Sequence, residues 1–259
     1  MSLSTAGEAT VQQQDPERVA TLAATELGLL GAAEPAQVRA SIRELLGAAA
    51  IRALDVLVAA FLLVVLVPVL VLVAIAVRVE SPGPALFRCE RVGYRGQRFR
   101  MLKLRKMSNH ALGCALTTSQ DARLTRLGAL LAKLKIDEIP QLLHVLRGTM
   151  SLVGPRPEVA EFVGLHPQAY AEILSVRPGI TGLSQIAFAE ERRILDPDDP
   201  VAHYVHRILP QKVALDQLYV SRRSLSFNLR ILFWTAAAVV LRRQVAVHRD
   251  SGKMNLRKR

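Results

Sequence analysis

The uncharged segment Val56–Val77 limits what this chain can fold into more than any other feature of the sequence. Its twenty-two residues carry no charged side chain. As a straight α-helix at about 1.5 Å per residue, the segment would reach about 33 Å, enough to cross a hydrocarbon core of about 30 Å. Arg52 and Asp55 precede it, and Arg78 and Glu80 follow it. The segment therefore predicts a membrane helix.

Pro68 lies inside this segment and leaves its topology open. A proline in a helix interior removes one backbone hydrogen bond and costs about 3 kcal/mol unless the chain bends. Division at Pro68 leaves two arms about 18 and 14 Å long, each of which reaches only halfway across the core. Proline kinks are tolerated in spanning helices, so the residues alone leave a spanning and a re-entrant helix both open. In either case, the Lys/Arg excess after the segment places the body of the protein in the cytoplasm.

The positive charge of the chain is concentrated after residue 50. The net charge is +12 overall, and residues 1–50 contribute −3, so the remainder carries +15. Eight basic residues and one acid lie between Phe87 and Met107, directly after the apolar segment. Aromatic side chains are sparse in this basic run, so anionic lipid and phosphate are favoured over nucleic acid as partners.

Two adjacent carboxylates, Asp137 and Glu138, stand among basic residues near the middle of the chain. Pro140 is typical of a helix start and Gly148 of a helix end. The carboxylates are therefore predicted at or just before the first turn of a short helix, where backbone N–H groups attract anions. Ordinary helix capping also explains such a pair, and both interpretations stay open.

Arg156 lies between two prolines in the sequence Gly154-Pro155-Arg156-Pro157. A stiff turn presents its guanidinium with little loss of entropy, and an arginine fork suits phosphate oxygens. The alternative is a solvated turn without a ligand.

Local patterns predict a few further elements. Ala85–Val92 and Gln97–Arg105 predict a β-hairpin around Gly93–Gly96, and Leu183–Ala187 predicts a short strand. Ile231–Leu241 is too short to span a membrane and predicts either an interfacial helix or a core helix. The histidines form no HxxxH or Cys/His cluster, so a zinc site is not expected.

Several long motifs resemble one family. DARLTRLG, KIDEIPQLLHVLRG and MSLVGPRPE are similar to the core of the monotopic polyprenyl-phosphate phosphoglycosyl transferases, which are bacterial sugar transferases. The resemblance extends to SPGPALFRCERVGYRGQRFRMLKLRKM (Ser81–Met107) and to RPGITGLSQI (Arg177–Ile186), and it covers roughly residues 51–241 in one order. It is to the small, single-domain members of that family.

Pattern and resemblance together predict an α+β fold. The catalytic domain is expected to be mostly helical, with a short β-hairpin, a re-entrant membrane helix broken at Pro68, and interfacial amphipathic helices. The expected division is an N-terminal extension (1–50), a re-entrant helix (51–79), a cytosolic catalytic domain (80–245) and a basic C-terminal tail (246–259).

The resemblance implies transfer of a sugar-1-phosphate from a UDP-sugar to undecaprenyl phosphate, which gives undecaprenyl-diphospho-sugar and UMP. This is the first membrane step of surface glycan synthesis, for exopolysaccharide, O-antigen or glycoprotein. The enzyme is expected at the bacterial inner membrane, with its catalytic domain facing the cytoplasm. Expected partners are the two substrates, membrane lipids and a homodimer partner, and no nucleic acid.

The resemblance also implies roles for individual residues. Asp137 would attack the β-phosphorus and form an aspartyl-phosphosugar, because carboxylates serve as phosphoryl acceptors. Glu138 would assist as metal ligand or base, and both carboxylates would hold Mg²⁺. The residues expected to contact phosphate or nucleotide are Arg156, Lys103, Arg105 and Arg126.

Four positions depart from the family pattern. Members usually have Asn at His144, Trp at Ser184, Thr at Lys106 and Asp at Asn228. These departures leave the choice of sugar and the shape of the nucleotide pocket open. A membrane-anchored basic adaptor is the non-enzymatic alternative, and convergence of Asp137, Glu138 and Arg156 in one cleft would argue against it. A related enzyme that hydrolyses the nucleotide sugar is a third hypothesis.

Overall fold

The computed structural model describes residues 35–108, 116, 118, 121–241 and 244–256. The chain divides into two compact units, Met1–Leu46 and Gly47–Arg259. In the first unit, the described residues 35–46 are helical. Most of the predicted N-terminal extension (1–50), and residues 257–259 of the predicted tail, lie outside the described residues.

The described residues are mostly helical, with short strands, and the predicted α+β class is confirmed in this coarse form. The helices are α1 (Pro35–Glu80), α2 (Arg126–Leu134), α3 (Leu142–Arg147), α4 (Ala160–Leu165), α5 (Pro167–Ile173), α6 (Leu183–Ala187), α7 (Glu191–Ile194), α8 (Pro200–His203), α9 (Leu209–Arg222) and α10 (Leu225–Leu241). The strands are β1 (Leu86–Val92), β2 (Arg98–Leu104), β3 (Ser151–Val153), β4 (Gly179–Thr181), β5 (Val245–Val247) and β6 (Met254–Leu256). Two 3₁₀ segments (Tyr94–Gly96 and Ile136–Gln141) and a π-helical turn (Tyr204–Ile208) complete the secondary structure.

Helix α1 contains the apolar segment, and its stretch Leu45–Glu80 is long and apolar enough to cross a membrane. Only 6% of its apolar window is buried, which separates it from the core helix of a soluble domain. Val64, for example, is 77% exposed. An apolar surface of this extent indicates a membrane environment.

Helix α1 is one continuous element through Pro68, so the predicted break there is not confirmed and stays a prediction. Helical structure continues on both sides of it. Proline lacks the N–H for one hydrogen bond and its ring crowds the carbonyl four residues earlier, while the other backbone hydrogen bonds hold the helix on either side. Whether α1 crosses the membrane or re-enters it stays a prediction.

The predicted hairpin is confirmed. Strands β1 and β2 pair antiparallel, from Leu86 opposite Leu104 to Val92 opposite Arg98. Gly96 in the connecting turn has φ of +75°, a conformation that glycine adopts without steric cost. Met101 and Leu104 of β2 are buried, whereas most of the arginines on both strands face solvent.

Arg52 and Asp55 fasten the N-terminal part of α1 to the connection between α3 and β3. The Arg52 guanidinium donates to the carbonyl oxygens of Val145 (2.7 Å) and Leu146 (3.0 Å) at the end of α3. The Asp55 carboxylate accepts from the Ser151 hydroxyl (2.8 Å) and the Leu152 N–H (2.9 Å) of β3. The apolar helix is thereby fixed to the segment that follows the two carboxylates.

One predicted strand is wrong. Leu183–Ala187 is helix α6, and the strand precedes it as β4, which pairs parallel with β3. Backbone packing determines this arrangement, because a Cβ on Gly179 would lie 2.0 Å from the Gly154 nitrogen. Helix α10 begins earlier than predicted, and it buries Ile231 while exposing Phe233.

Candidate active site

A cleft of about 530 Å³ contains the predicted carboxylates and Arg156. Its apolar lining includes Leu62 and Leu66 of α1 and Ala238 and Val239 of α10. Its charged lining residues are Arg91, Lys103, Lys106, Lys135, Asp137, Glu138, Arg156, Glu158, Glu191, Arg192 and Lys212. A cationic site therefore opens beside the helix that carries the exposed apolar surface.

The turn after α2 places the two carboxylates. The Thr125 hydroxyl caps the start of α2 by accepting from the Gly128 N–H at 2.9 Å. The helix ends at Lys135, whose φ of 60° reverses the chain into the 3₁₀ segment that carries Asp137 and Glu138. Helix α3 follows directly, as predicted for a pair just before a helix, and Gly148 ends it with φ of +80°.

Glu138 is held between two cations. Its Oε1 accepts from Lys103 Nζ at 3.0 Å and from Arg156 Nη2 at 3.3 Å. Burial alone would raise the pKa of Glu138, but Lys103, Arg156 and Lys135 outweigh burial and hold that pKa well below its ordinary value. Glu138 is therefore held ionised by its contacts with Lys103 and Arg156.

Asp137 has a different environment. It is 2% exposed, and its Oδ1 has no hydrogen-bond partner among the residues that the structure describes. Its Oδ2 lies 3.7 Å from Lys106 Nζ. A buried carboxylate oxygen without a donor is uncommon, and its lone pairs are available to an electrophile or a metal ion.

A second polar network lines the same cleft, and sequence reasoning missed it. Lys212 Nζ donates to Glu158 Oε1 (3.1 Å), Glu191 Oε2 (3.0 Å) and the Tyr204 hydroxyl (2.8 Å). Tyr204 in turn donates to Glu158 at 2.7 Å. Burial alone would raise the pKa of Glu158, but Lys212 and Arg156 hold it below its ordinary value. The sequence signal for this network was Lys212, a lysine among the buried apolar positions of α9.

Arg105 and Arg126 are not brought into the cleft with the other predicted phosphate contacts. Arg105 is buried and donates to the carbonyl oxygens of Val77 (3.3 Å), Ser81 (2.5 Å) and Pro82 (2.6 Å) at the end of α1. Its donors stabilise a helix terminus, which argues against a phosphate role. Arg126 is exposed in the first turn of α2 and does not line the cleft.

The carboxylate pair fits a magnesium ion only together with a substrate. Among the described residues, no group of three or more His, Cys, Asp or Glu side chains could hold a metal ion. Asp137 Oδ1 has free lone pairs, whereas Glu138 Oε1 already binds two cationic side chains. Mg²⁺ commonly uses one or two carboxylates and completes its shell with water and substrate phosphates.

Two of the four departures from the family pattern lie in the cleft. Lys106 pairs with Asp137, and Ser184 donates to Asp216 Oδ1 at 2.7 Å. His144 is a buried connection outside it: its Nε2 accepts from the Leu102 N–H at 3.2 Å. Asn228 Oδ1 is likewise buried, and it accepts from the Tyr219 hydroxyl at 3.0 Å.

Comparison with known proteins identifies the family to which the chain belongs. Residues 46–242 match the family described as bacterial sugar transferase, and the chain belongs to that family. The family resemblance seen in the sequence motifs is thereby confirmed.

Its relatives act on more than one sugar. The chain is 40% identical over 194 residues (73% of this chain, 69% of the relative) to the UDP-glucose:undecaprenyl-phosphate glucose-1-phosphate transferase of Caulobacter vibrioides. It is 34% identical over 194 residues (73% and 43%) to the UDP-N-acetylgalactosamine-undecaprenyl-phosphate N-acetylgalactosaminephosphotransferase of Aeromonas hydrophila. It is 36% identical over 203 residues (74% and 95%) to the exopolysaccharide production protein PSS of Rhizobium leguminosarum bv. phaseoli. The match thus covers most of some relatives and less than half of others.

Proposed function

We propose that the protein transfers a sugar-1-phosphate from a UDP-sugar to undecaprenyl phosphate, as the first membrane step of surface glycan synthesis. The observation that carries the proposal is the Asp137 carboxylate. It is buried in a cationic cleft, and one of its oxygens has no hydrogen-bond partner among the residues that the structure describes. The relatives of the chain include proteins named for this reaction. Asp137, Glu138 and Arg156 line one cleft together with Leu62 and Leu66 of α1. A basic adaptor has no need of this convergence.

The first step is attack by Asp137 Oδ1 on the β-phosphorus of the UDP-sugar. A bond forms between the carboxylate oxygen and phosphorus, and the bond from phosphorus to the bridging oxygen breaks. UMP leaves with the electron pair, and the sugar phosphate stays on Asp137. In the second step, a phosphate oxygen of undecaprenyl phosphate attacks the same phosphorus and displaces the Asp137 carboxylate. The product is undecaprenyl-diphospho-sugar, and Asp137 is regenerated.

The cations of the cleft allow a carboxylate to approach a diphosphate. Like-charge repulsion would otherwise oppose this approach. Lys103 and Arg156 are held in place by Glu138, and Lys106 lies beside Asp137, so these donors need little reorganisation when phosphate enters. Mg²⁺, when bound by Asp137 with the substrate phosphates, would neutralise further charge.

The apolar helix brings this chemistry to the membrane. We place α1 as a re-entrant helix in the inner membrane, with the cleft facing the cytoplasm, where the basic hairpin meets anionic headgroups. The acceptor's phosphate can then reach Asp137 while its isoprenoid chain stays in hydrocarbon. The chemistry needs one copy of the chain, and the homodimer stays a prediction.

The test is UMP release by detergent-solubilised protein with Mg²⁺ and a panel of UDP-sugars, with and without undecaprenyl phosphate. We expect lipid-dependent UMP release with at least one donor, and a loss of at least about 1,000-fold in Asp137→Asn, because a carboxamide is a poor nucleophile. Asp198→Asn, in an exposed loop away from the cleft, is the matched control. Unchanged UMP release in Asp137→Asn would contradict the nucleophile assignment. Release that does not need lipid would favour a nucleotide-sugar hydrolase.

A further inference from the structure

The charges of the cleft do not balance. Seven basic and four acidic side chains line it. Lys103 and Arg156 share Glu138, Lys106 pairs with Asp137, and Lys212 pairs with two carboxylates. In the part of the chain that the structure describes, the remaining three cations, Arg91, Lys135 and Arg192, form no ion pair with a carboxylate.

The charges of two of these three cations, Lys135 and Arg192, interact with each other. Lys135 is exposed and lines the cleft. The Lys135 ammonium also interacts electrostatically with Arg156 and with the carboxylates Glu138 and Asp137. The Arg192 guanidinium also acts on the Lys106 ammonium beside Asp137. Arg91 differs, because its charge acts on the buried carboxylate Glu158.

The backbone at Lys135 is a second observation. Its φ of 60° lies in the left-handed region, and Arg95 is the other non-glycine residue with positive φ among the described residues. This conformation costs a side-chain-bearing residue about 1–2 kcal/mol, and glycine commonly fills such a helix end, as Gly148 does after α3. A lysine stands at position 135 despite that cost, which points to a use for its side chain.

We propose that Lys135 and Arg192 form a second phosphate-binding subsite, separate from the Lys103–Arg156 pair that Glu138 holds. The inference rests on the proposed function. That reaction brings two phosphates other than the transferred one to the cleft, the α-phosphate of the nucleotide and the phosphate of the isoprenoid acceptor. Both present the same chemistry, a phosphate anion that an arginine fork and an ammonium can bind.

The experiment compares Arg192→Gln, Lys135→Gln and the double variant with matched controls. Arg193→Gln and Lys133→Gln remove the same charges from neighbouring exposed positions that do not line the cleft. Titration calorimetry in detergent measures the affinity of each protein for UDP and for farnesyl phosphate, a short isoprenoid monophosphate. Neither measurement requires turnover, so the subsite is tested even if UMP release fails.

We expect the double variant to lose about tenfold or more in affinity for one of the two ligands, as is typical for a charged hydrogen bond to phosphate. Weaker UDP binding assigns the subsite to the nucleotide, and weaker farnesyl phosphate binding assigns it to the acceptor. Affinities equal to those of the controls for both ligands overturn the proposal. If Lys135→Gln does not fold, Lys135→Asn replaces it, because asparagine tolerates the left-handed region.

Discussion

Asp137 and Glu138 are neighbours in sequence with opposite surroundings. Glu138 is bound by two cations, whereas one oxygen of Asp137 is buried without a donor from the described residues. The pair therefore divides its work between anchoring cations and presenting a free oxygen. Sequence reasoning found both carboxylates and Arg156 because they are close together in the chain and flanked by prolines. It missed Glu158, Lys212 and Tyr204, which meet only in the folded protein.

Glu138→Gln should destabilise the protein by about 3 kcal/mol, because it leaves Lys103 and Arg156 without their shared counter-charge in a partly buried site. Thermal denaturation in detergent at pH 7 measures this change. Glu161→Gln removes an exposed carboxylate of α4 and serves as the control. A Glu138→Gln protein that melts with the control would show that the two cations find other partners.

The free energy of unfolding should decrease as the pH rises from about 4 to about 7, because of Asp216. Burial raises the pKa of Asp216 to about 7 from 3.8, against the lowering effect of the Ser184 hydroxyl. In that window the folded protein keeps a proton that the unfolded chain has lost, so folding becomes less favourable as the pH rises. The effect is at most about 4 kcal/mol, at about 1.4 kcal/mol per pKa unit.

Asp216→Asn removes this titration and tests the assignment. The difference in melting temperature between variant and wild type should shift in favour of the variant between about pH 5 and about pH 8. A constant difference across that range would mean that Asp216 does not titrate there.

At the scale of elements, local patterns were predictable and close backbone approaches were not. The hairpin and the end of α3 at Gly148 follow from turn residues that lie beside them in the sequence. Strand β4 was misplaced because its position depends on Gly154 and Gly179 meeting from distant parts of the chain. The role of Arg105 was likewise hidden, since its carbonyl partners belong to the end of α1.

Arg52→Met should destabilise the protein by about 2 kcal/mol, because two charged hydrogen bonds to the end of α3 are lost. Arg78→Met, at the exposed C-terminal end of α1, removes the same charge without these contacts. Thermal denaturation in detergent compares the two. Equal melting temperatures would mean that α1 is held to α3 without Arg52.

At the scale of the whole molecule, the topology of α1 decides where the two ends of the apolar segment lie. A re-entrant helix returns both Gly47 and Gln97 to the cytoplasmic side. Gly47→Cys and Gln97→Cys, each in a background with Cys89→Ser and Cys114→Ser, should then both resist a membrane-impermeant maleimide applied from outside the inner membrane. Labelling of Gly47→Cys alone would show that α1 spans the membrane.

Charged residues and apolar side chains of α1 and α10 line the same cleft, and this arrangement has a consequence for the kinetics of the enzyme. On the proposed function, the enzyme meets one substrate in solution and the other in a two-dimensional film. Its rate then depends on the mole fraction of acceptor in the surrounding lipid or detergent. Adding inert detergent at a fixed amount of undecaprenyl phosphate should slow turnover by surface dilution, while the response to the UDP-sugar concentration keeps its ordinary hyperbolic form.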